Sequence, residues 1–221
     1  LGRFIAAVEA GRAGLLERLL GPLERALHRL AGVKGEDMGW QTYCLALLAF
    51  NALGMIFLYG LQRVQGSLLF GTEGPSSVAP DVALNAAVSF VTNTNWQAYA
   101  GESTMTAVTQ MLGLTVQNFL SAATGMAVLT ALIRGFTRNR APGIGNFWVD
   151  LVRATLFVLL PLSLVLAILL VHEGVPQTFT PRVEAELLDP VRSADGDLLR
   201  EQSIALGPVA SQVAIKQLGT N

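Results

Sequence analysis

Three stretches of this chain carry no charged side chain: residues 41–61, 103–133 and 154–171. About 20 apolar residues at 1.5 Å each cross the hydrocarbon core of a bilayer, and 17 is close to the lower limit. Each stretch is therefore long enough to span a membrane as a helix, the only open-chain structure that satisfies its own backbone in lipid. Trp40 and Tyr43 at one end of the first stretch, and Tyr59 at the other, suit the two interfaces. The second stretch exceeds one crossing, which places its span at 111–133. Its Gln117 and Asn118, with Gln110 just before, need partners in an apolar setting and are expected to face inward. Asn51 is expected to reach a neighbouring helix or the permeation path. Pro161 is expected to kink the third span, since it removes a backbone donor and crowds the preceding turn. Composition agrees: 52% of the 221 residues are hydrophobic and 14% charged, where a soluble domain has about a quarter charged. The fold class expected is an all-α polytopic membrane protein, with the lipid bilayer as a partner.

Residues 81–91 are apolar but too short to cross. Asp81 is placed to cap a helix there. That helix runs into Ser-Phe-Val-Thr-Asn-Thr-Asn-Trp-Gln, Ser89 to Gln97, a neutral run of alternating Thr and Asn. Irregular polar backbone at membrane depth is tolerated only where protein buries it or it lines a cavity. A half-crossing helix that breaks into small polar residues is how a cation filter is built, with backbone carbonyls replacing the ion's water. The helix would also aim its negative end at the ion. The backbone carbonyls of Thr92, Asn93, Thr94 and Asn95 are the candidate ligands, their side chains bracing the loop. The competing reading is a plain polar turn outside the membrane.

The same pattern recurs near the end of the chain. Aligning Thr92-Asn93 with Thr220-Asn221 gives an offset of 128 residues, in which Pro80 meets Pro208 and Ala86 meets Ala214. Each copy follows a span and an external loop, as internal repeats of transporters do. The organisation expected is an interfacial, cytoplasmic amphipathic segment over 1–40, then a span–pore helix–span repeat over 41–140. That repeat holds span 41–61, pore helix 81–91, filter 92–97 and span 111–133. An incomplete second repeat over 141–221 holds span 154–171, external loop 172–207, pore helix 208–218 and truncated filter 219–221.

Residues 15–30 place seven leucines at helical spacing, with Pro22 positioned to divide the helix. Residues 65–80, rich in Gly, Ser and Pro, read as a loop. Residues 177–206 hold three arginines, six acidic residues and two prolines, and read as an exposed loop. Five arginines and one lysine precede Gln41, and Arg134, Arg138 and Arg140 follow the second span with no acidic residue among them. The positive-inside rule puts both basic segments in the cytoplasm, so that the half-crossing helix enters from outside. His28 and His172 then lie on opposite sides and cannot share a metal. Lone Cys44 excludes an internal disulfide and a cysteine metal site. No basic patch with interleaved aromatics points to nucleic acid.

Three strings carry a resemblance: Ser89 to Gln97, Gly113-Leu-Thr-Val-Gln-Asn-Phe-Leu-Ser-Ala-Ala123, and Gly207-Pro-Val-Ala-Ser-Gln212 with Leu218-Gly-Thr-Asn221. They resemble the potassium-binding A subunits (KdpA) of the bacterial Kdp potassium-transporting ATPase. The resemblance implies four channel-like repeats around a pseudo-fourfold pore, and that this chain is an N-terminal fragment. It implies that Gln97 is a filter-edge residue and that Gly219, Thr220 and Asn221 open a second filter segment whose following glycines lie beyond the chain. It further implies a multi-pass protein of the bacterial plasma (inner) membrane, with K+ as bound substrate ion and no organic cofactor. The partners implied are a separate P-type ATPase catalytic subunit and two small accessory subunits. No P-loop, Asp-Lys-Thr-Gly or Gly-x-Ser-x-Gly motif is present, so no hydrolytic activity of its own is expected. A self-sufficient potassium channel or symporter of the same superfamily is the alternative function.

Overall fold

Among the described residues, three helices are long and apolar enough to cross a membrane: α3 (Trp40–Val64), α6 (Thr109–Thr137) and α7 (Phe147–His172). Around them stand α1 (Gly2–Glu9), α2 (Leu15–Leu30), α4 (Pro80–Val91), α5 (Gly101–Thr104) and α8 (Val209–Gly219), with a hairpin of β1 (Arg182–Arg192) and β2 (Leu198–Ala205). The computed structural model describes residues 1–68, 77–139, 142–180, 182–192, 196 and 198–219. Residues 69–76 of the expected loop 65–80 and Arg140 lie outside these.

The outer faces of the long helices expose Leu45, Leu48, Ile56, Leu129, Leu132, Leu164 and Ile168. So broad an apolar surface requires lipid or further apolar protein against it. Between the helices small residues let backbones approach. Ala122, Ala123, Ala127 and Ala131 of α6 pack with Tyr43, Phe147, Leu151 and Ala154. Tyr43, Phe50, Phe147 and Trp148 form an edge-to-face aromatic cluster with ring centroids 5.1–5.9 Å apart.

The short helix α4 lies on the C-terminal half of α3, where Leu58 packs with Ala83, Ala87 and Phe90. The buried Gln62 amide donates to the carbonyls of Leu58 (3.0 Å) and Ala83 (3.2 Å), pinning the two helices together. Ala79 occupies the N-cap and Pro80 starts the helix, so Asp81 sits in the first turn and is not the cap. Proline is favoured at that first position because its missing N–H would have no partner anyway. The second short helix, α8, packs on α7 as α4 packs on α3, and α6 touches both short helices. The two end at Val91 and Gly219, 128 residues apart (219 − 91).

The expectations for Pro22 and for the loop 172–207 are corrected. Pro22 does not divide α2, which runs unbroken from Leu15 to Leu30. It is held on both sides of the proline, by Leu16 and Leu20 on the Leu156–Val158 segment and by Glu24 paired with Arg153 at 2.9 Å. Pro161 is accommodated by a widened π-helical turn, Ala154–Leu159, just ahead of it. The expected loop 172–207 contains the β-hairpin, Arg182 opposite Ala205 and Glu186 opposite Glu201, irregular between Glu186 and Val191 where Pro190 lacks a donor. The α7 helix also begins earlier than the uncharged stretch 154–171. It takes in Asp150 and Arg153, with the Asn146 side chain accepting from the backbone N–H of Trp148 (3.1 Å) and Val149 (3.3 Å) as its cap.

Candidate functional site

The end of α4 builds a specific turn. Thr92 caps the helix, and Asn93 follows in the left-handed region (φ 59). The N–H of Asn93 donates to Phe90 O (3.4 Å) and that of Thr94 to Ser89 O (2.9 Å). This pair of bonds is the Schellman closure of a helix C-terminus. Asn95 is left-handed as well (φ 55), and its N–H joins that of Thr94 on Ser89 O at 3.1 Å. Asparagine tolerates this conformation far better than other residues with a Cβ. The alternation of Thr and Asn is thus the sequence trace of an alternating backbone, and it was open to being read that way.

All peptide bonds of the described residues are trans, so the N–H and C=O of each unit point in opposite directions. The N–H groups of Asn93, Thr94 and Asn95 turn back to the helix end. The carbonyls of Thr92, Asn93 and Thr94, their peptide partners, therefore point away from it. Among the described residues no hydrogen bond runs to the carbonyls of Thr92, Thr94 or Asn95. The side chains brace the turn: Thr92 Oγ1 donates to Val88 O (2.9 Å) and meets Thr94 Oγ1 (3.1 Å). Asn93 Oδ1 accepts from Asn95 Nδ2 (3.3 Å) and from Ser121 Oγ of α6 (3.1 Å). Thr92 and Thr94 are exposed, Asn93 and Asn95 half-buried, and Gln97 is exposed.

Of the second candidate segment, Gly219 is buried at the end of α8. A Cβ there would stand 2.9 Å from Ala122 Cβ and 3.3 Å from Asn118 O, so glycine is required by the close approach of α8 to α6. Thr220 and Asn221 lie outside the described residues. Gln117 and Asn118, expected to face inward, are both buried. The Asn118 side chain has no hydrogen-bond partner among the described residues, nor has Asn51 Oδ1.

The helix ends near Asp150 hold a second polar cluster that the sequence reading missed. Asp150, 1% exposed, accepts from Arg134 Nη1 at 2.6 Å and from the Tyr43 hydroxyl at 3.0 Å. Arg134 Nη2 reaches Glu9 at 3.3 Å, and Arg138 reaches Asp37 at 2.8 Å. Gly145 (φ 112) lets Arg134 pass, because a Cβ would collide with the guanidinium. Burial and the Asp150 carboxylate push the Glu9 carboxyl up to about 7, against the pull of Arg134 and Arg153. Arg134 and Arg138 thus have acidic partners, drawn from α1, α7 and the 31–39 connection.

These features define a class: a helical, multi-span membrane protein whose short half-length helices pack on the spans preceding them. Residues 1–221 match the potassium-transporting ATPase A subunit family (KdpA) over their whole length, and the chain belongs to that family. Proteins of Sorangium cellulosum and Herpetosiphon aurantiacus, each named potassium-transporting ATPase potassium-binding subunit, are 57% identical over 222 residues. The namesake of Clostridium perfringens is 51% identical over 221. All of this chain is covered in each case but only 38% of each relative, so the chain spans well under half their length.

Proposed function

We propose that the turn Thr92–Asn95 is one quarter of a potassium selectivity filter, with the carbonyls of Thr92, Asn93, Thr94 and Asn95 facing the ion and Gln97 at its edge. The observation that carries this is the peptide orientation: three successive N–H groups are spent on the helix end, leaving the opposite carbonyls directed outward. The α4 C-terminus adds its negative dipole end behind them. Gly219, Thr220 and Asn221 open the second quarter at the end of α8. The span–pore helix–span unit over 41–140 and the incomplete one over 141–221 are the first parts of a ring. The complete protein takes K+ from outside the bacterial plasma membrane and passes it to a separate P-type ATPase subunit. That subunit hydrolyses ATP, and two small subunits complete the assembly. The names of the relatives, potassium-binding subunits of a potassium-transporting ATPase, support this division of labour.

The test is potassium-dependent ATPase activity of the full-length complex, titrated with potassium, rubidium and ammonium. Asn95→Asp replaces the Nδ2–H donor by a second acceptor facing Asn93 Oδ1, which opens the turn. Gln97→Arg puts a cation at the rim, where at a few ångströms repulsion in a partly buried setting amounts to about 2 kcal/mol or more. Both variants are expected to raise the half-saturating potassium concentration, Gln97→Arg by about tenfold or more, and Gln97→Arg to alter discrimination among the three cations. Wild-type curves from both normally assembled variants would reduce the stretch to an ordinary turn.

A further inference from the structure

One face of α6 touches both short helices at the same level. Ser121, 2% exposed, donates its hydroxyl to Asn93 Oδ1 at 3.1 Å, with the Asn118 carbonyl of its own helix as the longer alternative at 3.3 Å. One position on, Ala122 stands against Gly219, which also lies beside the Asn118 carbonyl. Asn118, Ser121 and Ala122 fall within four residues and so share one face of the helix. On one side this face meets the turn after α4, and on the other the last described residue of α8. Asn93 Oδ1 also accepts from Asn95 Nδ2 at 3.3 Å, a bond internal to the turn.

We propose that this face of α6 is the spacer that fixes two neighbouring filter segments relative to each other, with Ser121 the positioning residue for the first. The proposal rests on the filter reading above. Ser121 touches no ion. It holds Asn93 Oδ1, and through that side chain it holds the left-handed backbone that directs the Asn93 and Thr94 carbonyls. Ala122 and Gly219, both without a side chain beyond Cβ, set the distance on the other side, with Gly219 close against the Ala122 Cβ and the Asn118 carbonyl. A filter discriminates among ions of similar size only while its carbonyls keep their spacing and number. A loosened brace therefore lowers potassium affinity and selectivity before it lowers maximal turnover.

The experiment is a double-mutant cycle in the full-length complex, read as half-saturating concentrations of potassium, rubidium and ammonium and as maximal ATPase rate. Ser121→Ala removes the donor without adding volume. Asn93→Gly removes the acceptor while permitting positive φ. Ser121→Ala is expected to raise the half-saturating potassium concentration about two- to tenfold, the range one hydrogen bond supplies. It should narrow the gap to rubidium or ammonium and leave the maximal rate close to wild type. In the Asn93→Gly background the same change is expected to add nothing, because both act through one contact. Additive effects in the cycle, or a fall in maximal rate and assembly with unchanged ion affinities, would overturn the brace. So would a wild-type Ser121→Ala curve beside a shifted Asn95→Asp curve, and in that case the filter reading survives. If neither variant shifts the ion curves, the filter reading fails and the brace with it.

Discussion

The turn after α4 and the junction of helix ends around Asp150 are both polar, yet they are made of opposite materials. The turn is neutral: hydroxyls, amides and peptide groups, with no charged side chain from Ser89 to Gln97. The junction is ionic, with Arg134 shared between Asp150 and Glu9 and a tyrosine hydroxyl closing the cluster. They sit 13 residues apart along α6 (134 − 121), about 20 Å at 1.5 Å per residue. A permeating cation would be trapped by a fixed buried carboxylate, whereas neutral carbonyl dipoles can bind it and release it. Paired charges suit the junction because it has only to hold four helix ends, of α1, α3, α6 and α7, in one arrangement. On the proposed filter reading, the contrast separates a part suited to exchange from a part built for fixity.

The largest effect should come from breaking the fixed part. Asp150→Ala would leave the Arg134 guanidinium without its nearest buried acceptor, while the Tyr43 hydroxyl keeps the Ala127 carbonyl at 2.8 Å. Removing one member of a buried ion pair costs roughly 3–5 kcal/mol, so the purified full-length complex should lose most of its thermal stability or fail to assemble. Any protein that does assemble should titrate with potassium as wild type does. A variant with unchanged melting and altered ion affinity would erase the distinction between the two regions.

A smaller effect sharpens the comparison through pH. In the folded chain Glu9 keeps its proton up to about 7, against a reference of 4.5. The folded state therefore binds the extra proton between those values, and its stability falls as pH rises through that window. Arg134 cannot fully charge-compensate Glu9 because it already serves Asp150. Glu9→Gln is neutral at every pH, so the difference in melting temperature between pH 5 and pH 8 should shrink. An undiminished difference would show that Glu9 is not the titrating group. The neutral turn has no counterpart to this, and potassium affinity should not follow Glu9.

The two regions also differ in how far the sequence disclosed them. The spans were legible because uncharged stretches of that length have few other uses, and the half-length helix because residues 81–91 are apolar yet too short. The Thr-Asn alternation marked the turn, though its reason, left-handed backbone at both asparagines, became plain only with the dihedral angles. The ionic junction was not legible. Its partners are separated by 125 residues for Glu9 and Arg134 and 16 for Arg134 and Asp150, and no local pattern couples them. Asp150 and Arg153 stand just before the uncharged stretch 154–171, but pairing lets them enter the helix. The hairpin was hidden by composition. Val183, Ala185 and Leu187 alternate with Arg182, Glu184 and Glu186 at strand period, yet the segment's net acidity suggested a loop. Ser121 was one serine within a string noticed only for its resemblance.

The smallest effect tests whether burial, not charge as such, distinguishes the junction. Arg134 and Arg138 stand one helical turn apart in the same basic segment, and each meets a carboxylate at under 3 Å. The Arg134 side chain is 15% exposed with Asp150 at 2%, whereas Arg138 and Asp37 are 39% and 47% exposed. Water and salt screen the outer pair, whose worth should be about 0–1 kcal/mol and lower still in concentrated salt. Arg138→Ala should therefore shift the melting temperature of the complex by no more than about 2–4 °C. Any loss present in low salt should fade in high salt, with potassium titration unchanged. A drop rivalling that of Asp150→Ala would mean that the outer arginine is part of the fixed cluster. The boundary drawn between sheltered and solvated charge would then lie in the wrong place.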